Sequence, residues 1–275
     1  MYVSVIIPTY KDVRALELIL EAFNYQTYKK FEVIVAEDDN SEEVKSFLKN
    51  FKSNYEIQHF SHEDIGSTTK PIAVNRAVKM SRGEYLIYID GDTIPYSTFV
   101  DGHVSLSERK TALCGRRVNL GKVMSQEIRE GKLSTLELEK KYFRFLPALL
   151  KDHARHIEQG IYLKPNSYIQ DFLSAKNKNL HLLGSNFSCY KNDMIEINGS
   201  DEDMPPGAGT DDVDIEWRLQ AIGVQIKSCK NSANLFHLYH KRNDNREERT
   251  LKNKEIIREK QLHNNYQCKN GIYKL

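Results

Sequence analysis

Cysteine is scarce in this chain. The four residues at 114, 189, 229 and 268 lie far apart and form no Cys-x-x-Cys pair. A disulfide framework is therefore not expected, and free thiols of a reducing cytosol are. No run approaches 18 consecutive apolar residues, which excludes a membrane-spanning helix. The first eight residues, from Met1 to Pro8, lack a charged region followed by a cleavage site, so they read as a strand and not a secretion signal. Net charge is small as well. Forty Lys and Arg against 38 Asp and Glu leave +2, which excludes a polyanion binder driven by overall charge. Several catalytic signatures are missing: GxGxxG after the first strand, GxxxxGK[ST], HExxH and GxSxG. Dinucleotide dehydrogenase, P-loop NTPase, zincin and α/β-hydrolase readings lose their support with them. There is no internal repeat and no low-complexity tract.

What is present is an ordinary globular composition, 40% hydrophobic and 28% charged over 275 residues. That length buries a sizeable core without a disulfide or metal staple. Charge is uneven along it. From Lys241 onward ten basic residues face five acidic ones, so the end of the chain carries +5 and the remainder −3.

Strand and helix signals alternate over residues 1–100. Apolar runs at 3–7, 31–36, 57–60 and 85–89 read as strands. Between them, Asp12 offers an N-cap to a helix with Val13, Leu16, Ile19, Leu20 and Phe23 on one face, and further helices are expected at 42–52 and 70–80. Strands alternating with helices imply βαβ units and a mostly parallel sheet. Residues 121–181 differ. Ser134 and Glu137 form a capping-box pattern ahead of an aromatic, basic helix, and the segment reads as a helical insertion. Residues 182–240 return to α/β character, with a strand at 182–190, a Gly/Pro-rich loop, a helix from about 212 to 222 closed by Gly223, and strands at 224–229 and 234–239. The expected organisation is one α/β domain over 1–242, made of a nucleotide-binding part (1–120), the insertion (121–181) and an acceptor part (182–242), followed by a basic tail over 243–275.

Polar clusters sit directly after the strands: Pro8-Thr9-Tyr10, Asp38-Asp39 and Asp90-Gly91-Asp92. In open α/β sheets ligands bind outside the carboxyl ends of strands, so three loops are expected to converge on one crevice. Asp90-Gly91-Asp92 suits a divalent cation bridging a diphosphate, but it also fits an acidic turn. Asp38 and Asp39 suit a base or ribose as well as Asx-turn chemistry. Asp211, Asp212 and Asp214 open a helix, where carboxylates are favoured on electrostatic grounds alone. The functional alternative there is a general base. His237 and His240 fit one metal only if their segment is turn-like, because an extended strand points them to opposite faces.

Taken together, Val5-Ile6-Ile7-Pro8-Thr9-Tyr10, Phe31-Glu32-Val33-Ile34-Val35-Ala36-Glu37-Asp38-Asp39, Ala73-Val74-Asn75-Arg76-Ala77 and Gly83 through Asp90-Gly91-Asp92 to Pro95 resemble the family 2 glycosyltransferases of GT-A fold. Leu183-Gly184-Ser185-Asn186, Asn198-Gly199, Asp201-Glu202-Asp203, the stretch from Gly209 through Asp211-Asp212 to Ile215, Arg218-Leu219 and His237 to His240 resemble the galactosyltransferase-like and chondroitin-polymerase-like branch. The likeness covers about 2–120 and 180–242. It implies that Pro8, Thr9, Tyr10 and Asp38 line a uracil and ribose site, with Asp39 and Asn75 beside it. Asp90 and Gly91 would contact ribose or sugar. Asp92, His240 and His237 would bind Mn²⁺ or Mg²⁺, Asp211 would hold the acceptor, and Asp212 would be the base. The implied activity is inverting transfer of Gal, GalNAc or GlcNAc from a UDP-sugar to a glycan or lipid-linked glycan in bacterial surface polysaccharide synthesis, with no nucleic-acid partner. A sugar nucleotidyltransferase and a non-catalytic glycan-binding module are the alternatives. The chain departs from the pattern at Gly66-Ser67-Thr68, where relatives often carry Gly-Phe-Arg and where Lys70 offers a replacement cation. It departs again at Gly207-Ala208-Gly209. The expected location is cytoplasmic. The 142–151 stretch and the tail leave two readings open, a core-facing helix with a solvated tail or peripheral contact with an anionic membrane.

Overall fold

The computed structural model describes residues 1–61, 70–176, 180–204, 211–241 and 246–274. The departures at 66–68 and 207–209 lie outside them, as does the loop around Thr210. The first half runs β1 (Val3–Thr9), α1 (Val13–Phe23), β2 (Phe31–Glu37), α2 (Glu42–Asn50), β3 (Glu56–Phe60), α3 (Lys70–Met80), β4 (Tyr85–Ile89), β5 (Thr93–Pro95), α4 (Phe99–Ser105), β6 (Thr111–Cys114) and β7 (Val118–Asn119). The helical insertion follows as α5 (Lys122–Arg129), α6 (Thr135–Lys140), α7 (Tyr142–Lys151), a 3-10 turn at Ile157–Gly160 and α8 (Tyr168–Lys176). The chain then forms β8 (Asn186–Tyr190), α9 (Lys191–Glu196), α10 (Asp211–Ala221), β9 (Gln225–Ser228), β10 (Leu235–His237) and α11 (Arg246–Leu262).

Seven strands build the main sheet in the order β3-β2-β1-β4-β8-β6-β9. All neighbouring pairs are parallel except those made by β8, which runs against both β4 and β6. This is the mostly parallel α/β sheet expected. The period of two along each strand divides the interior into two cores. Val3, Val5, Ile7, Val33, Val35, Ile87 and Ile89 face α1 and the insertion. Ile6, Ile34, Ala36, Leu86 and Tyr88 face α3, α9 and α10. Because β1, β2 and β4 are parallel, their polar carboxyl ends meet at one edge, beside the point where chain order reverses between β1 and β4.

Local chemistry explains the element ends. Asp12 accepts from the Ala15 amide at 2.9 Å and Ser41 from that of Val44 at 3.4 Å, the N-caps of α1 and α2. Gly223 closes α10 at φ +82°, a left-handed conformation that suits glycine. The capping box at Ser134 does not form: Ser134 makes no side-chain cap bond, and Glu137 instead pairs with Lys141 at 2.7 Å. The helix expected there breaks at Lys141 into α6 and α7. The strand expected at 182–190 begins only at Asn186, since the amide of Leu182 is held by the Glu216 carboxylate at 2.6 Å and leaves the ladder.

The chain beyond 243 is not simply a solvated basic tail. Ile257, Cys268 and Ile272 are buried, Asn198 donates to the carbonyls of Cys268 and Tyr273 at 2.8 Å each, and Lys260 pairs with Asp201 and Asp214. Beneath it lies the fully buried Arg218 of α10. Its Nε donates to Asp214 Oδ2 at 2.8 Å and its Nη1 to the carbonyls of Ile197 and Gly199 at 2.9 and 2.7 Å. Arg218→Met keeps nearly the same volume but leaves two buried carbonyls unpaired and strips the buried Asp214 of its bond at Oδ2, with only Lys260 and Trp217 left on Oδ1. It is expected to cost about 3–5 kcal/mol, read as a lower urea midpoint at unchanged slope.

Candidate active site

The site begins with a turn. Thr93 donates to the Asp90 carbonyl through its amide at 3.2 Å and its hydroxyl at 2.8 Å, so the chain reverses immediately after β4. A Cβ on Gly91 would lie 2.7 Å from the Pro8 carbonyl, so only glycine lets this turn press against the end of β1. Asp90 and Asp92 thereby stand beside Pro8, Thr9 and Tyr10.

A second, three-stranded sheet of β5, β10 and β7 supplies the histidines. β10 runs antiparallel to β5, pairing His237 with Thr93, and the Leu238 amide donates to the Asp92 carbonyl at 3.0 Å. The strand ends at His237, so the chain leaves extended geometry before His240 and the two imidazoles face one point with ring centroids 5.2 Å apart. Nε2 of His237 lies 3.2 Å and Nε2 of His240 3.4 Å from Asp92 Oδ2. One ligand atom from each of the three residues falls within 4.8 Å of the others. His240 Nδ1 lies 3.0 Å from the Lys241 carbonyl, an orientation that frees Nε2 for a metal. Asp92 Oδ1 is buried without a hydrogen-bond partner among the described residues. One carboxylate and two imidazoles with an unsatisfied buried oxygen fit a divalent transition metal, Mn²⁺ better than Mg²⁺.

The cluster stands at one end of a cleft of about 480 Å³ lined by Pro8, Thr9, Tyr10, Asp38, Asp90, Gly91, Asp92, His237 and His240. Every one of these was expected. Asp12, Lys70, Arg117 and Arg129 line it too. Arg129 holds Asp12 through two bonds of 2.9 and 2.8 Å and Arg117 approaches Asp90 at 3.6 Å. Neither arginine carries a motif: Arg129 arrives as the insertion folds back, and Arg117 sits at the entry to β7, which pairs with β10. Lys70 donates to Asp90 at 2.9 Å and lies 3.9 Å from Asp211, so the replacement cation stands between two site carboxylates. Burial alone would raise the Asp90 carboxyl, but the Lys70 ammonium, with help from Arg117, holds it below the usual carboxylate range.

Two expected residues stand elsewhere. The Asn75 side chain is buried and donates to the Ser200 carbonyl at 2.7 Å and Glu202 at 2.9 Å, while accepting from the Ser200 amide at 2.8 Å. It clasps α3 to the 198–203 loop and does not line the cleft. Asp39 is buried behind the cleft wall next to Glu37. Burial and the Asp39 carboxyl push Glu37 up to about 7 against the opposing Ser41 amide, and Glu37 lies 2.7 Å from His59 Nε2. Asp38 alone of the acidic pair reaches the cleft wall.

Asp211 and Asp212 open α10 and line a small cavity that shares Pro8 and Lys70 with the cleft. Asp212 Oδ2 accepts from the Gly184 amide at 3.2 Å, and the loop bearing Gly184 is fixed by Glu216 and by Asn186, which donates to the carbonyls of Arg116 and Ala233 at 2.8 and 2.9 Å. Burial, then the Asp211 charge, push the Asp212 carboxyl up to about 6, against the Gly184 bond and Lys70. A carboxylate poised near neutrality at the wall of a small, mostly apolar cavity is suited to accept a proton.

Comparisons with known proteins give the family and the fold. The family model described as "Glycosyl transferase family 2" matches residues 4–162. Chondroitin synthase of Escherichia coli is 27% identical over 117 residues, 42% of this chain but 17% of that protein, so the chain spans a minor part of this relative's length. Among solved structures, TarS of S. aureus superposes with a TM-score of 0.59 at 16% identity, covering 95% of this chain and 40% of TarS. A mannosyltransferase from Pyrobaculum calidifontis, in complex with GDP-Man and Mn²⁺, gives 0.55 at 15% identity, covering 87% of this chain and 57% of that one. The fold is therefore GT-A. With a match across more than half its length, including the ends of β1, β2 and β4, the chain belongs to glycosyl transferase family 2.

Proposed function

We propose that this protein is an inverting, metal-dependent glycosyltransferase that moves Gal, GalNAc or GlcNAc from a UDP-sugar to a glycan hydroxyl in polysaccharide synthesis. The observation that carries the reading is the meeting of Asp92, His237 and His240 at the end of a cleft that also presents Asp38, Asp90 and Lys70. The Mn²⁺ in the P. calidifontis complex and the name of the chondroitin synthase relative support it. A nucleotidyltransferase needs a Gly-rich basic loop after β1, and Pro8-Thr9-Tyr10-Lys11-Asp12 does not supply one.

Each group has a separable task. Pro8, Thr9 and Tyr10 form the wall for the base, and Asp38 accepts hydrogen bonds from uracil or ribose. Asp90, kept ionised by Lys70, orients the ribose or sugar hydroxyls. Asp92, His237 and His240 would hold the metal, which would supply Lewis-acid neutralisation of charge developing on the departing diphosphate. Arg117 and Arg129 add positive charge along the same cleft. Asp211 positions the acceptor hydroxyl and Asp212 takes its proton as the oxygen attacks the anomeric carbon. Direct displacement inverts that carbon, so an α-linked donor gives a β-glycoside. Among the described residues no helix is long and apolar enough to cross a membrane. Peripheral contact belongs to this reading through α7, where exposed Phe143 and Leu150 accompany Lys140, Lys141, Arg144 and Lys151.

Removing a metal ligand tests the first task. His240→Ala and Asp92→Ala are expected to lower Mn²⁺-stimulated UDP release from UDP-sugar by about 10²-fold or more, with weaker Mn²⁺ binding by calorimetry. Unchanged Mn²⁺ affinity in both would remove the metal assignment.

The base gives a second test. Asp212→Asn is expected to slow transfer by about 10²–10⁴-fold with little change in UDP affinity. A base works only when deprotonated, and the Asp212 carboxyl is raised to about 6. The acceptor kcat/KM is therefore expected to plateau above that pH and to fall about tenfold per unit below it. The limb stays in place when Mn²⁺ is raised tenfold, which separates it from protonation of the histidines.

A further inference from the structure

A second cavity of about 480 Å³ adjoins the cleft and shares Arg117, His237 and His240 with it. Its own wall is basic. Lys122, His153 and Arg155 reach it only from this side, with Asp152 as the one carboxylate. That carboxylate is already engaged, accepting from the amides of Val123 at 3.0 Å and Met124 at 2.8 Å. Lys122 and Arg155 are exposed and make no ion pair among the described residues. The loop that presents His153 and Arg155 is held firmly. The Arg155 amide donates to the Asn119 carbonyl at 2.8 Å and the Asn119 amide returns a bond to Arg155 at 3.0 Å. His153 sits at φ +55°, a left-handed conformation uncommon outside glycine. Tyr239 adds a ring to the same wall, a flat apolar face for a sugar.

The donor's diphosphate does not account for this surface. The cleft already supplies the metal ligands, Lys70, Arg117 and Arg129 for those phosphates. We propose that the adjoining cavity is an anion subsite, seating a carboxylate or phosphodiester carried by the glycan acceptor while the donor occupies the cleft. Lys122 and Arg155 are the specificity-determining residues. Two cations on an anchored backbone beside an aromatic ring select an acidic sugar or a sugar-phosphate chain over a neutral glycan. The word acceptor rests on the transferase reading above, whereas the anion preference stands on the cavity itself.

Calorimetry on the full chain saturated with Mn²⁺ and UDP provides the test. The probes are an aryl β-glucuronide, the matching neutral β-glucoside and the phosphodiester glycerophosphoglycerol. At least one anion is expected to bind about tenfold or more tighter than the glucoside, the gain typical of charge-assisted hydrogen bonds. Which anion it is separates an acidic sugar from a phosphodiester. The Lys122→Ala, Arg155→Ala double variant, altered at two exposed side chains, is expected to lose that preference and keep UDP affinity within about twofold, while Lys122→Arg retains it. Binding of all three probes with equal strength, or of no anion, overturns the proposal. So does a large loss of UDP affinity in the double variant, because the cavity would then serve the diphosphate. Failure of UDP to bind with Mn²⁺ strikes the transferase reading instead, and the anion titrations repeated without nucleotide still read the cavity.

Discussion

The site depends on one closure. β10 lies against the short strand β5, and the Leu238 amide bonds to the Asp92 carbonyl at 3.0 Å. That pairing carries His237 and His240 to a carboxylate placed by an entirely different part of the chain. Backbone hydrogen bonds set the positions, so the ligand distances do not depend on flexible side chains finding one another. The same sheet explains why His240 is usable at all. Had β10 continued three residues further, its imidazole would have taken its place on the alternation of the strand.

The crevice gathers carboxylates that repel each other: Asp90, Asp92, Asp211 and Asp212, with Asp38 on the same cleft wall. Lys70 partly neutralises this crowd and divides it into unequal halves. Its closest bond, 2.9 Å, goes to Asp90, and Asp211 is a full ångström further. Asp90 is therefore kept as an anion, while Asp212, raised first by burial and then by the Asp211 charge and only weakly opposed by the ammonium, is left with a raised affinity for protons. Neighbouring carboxylates thus acquire different proton affinities from unequal burial and unequal shares of one lysine.

The strands and helices before residue 90 were legible to within two residues because each has a full period of apolar residues and a polar stop at its end. The acidic turns, the histidine pair and the carboxylates that open α10 were legible as an ordered set, and none was legible singly. β5 and β7 were not, since three and two residues give no period to read and their pairing exists only once β10 arrives. Ser134 followed the capping rule on paper and lost to a local competitor, the Glu137–Lys141 pair. Asn75 was read from its motif as a ligand residue, but its amide is saturated by Ser200 and Glu202, partners that sequence separation hides. Arg117, Arg129 and Arg155 were invisible for a related reason. An arginine's sequence context says nothing about which cavity the fold will turn it toward.

The last element to fold back also bears on chemistry. α10 carries the proposed base in its first turn and, two residues on, buries Asp214 against Arg218, while Lys260 of α11 comes within 3.4 Å of the same carboxylate. Charges this deep return little net stability, because their desolvation offsets most of their attraction. What they do give is direction. Arg218 bonds the carbonyls of Ile197 and Gly199, and the neighbouring Asn198 bonds the carbonyls of Cys268 and Tyr273. Rotation or sliding of α10 would break several charged bonds at once. A base must be held to a fraction of an ångström to be useful, and a greasy interface permits small slips that this network forbids. The returning C-terminal segment thus braces the helix that carries the proposed base, although none of its described residues from Arg246 onward lines the cleft.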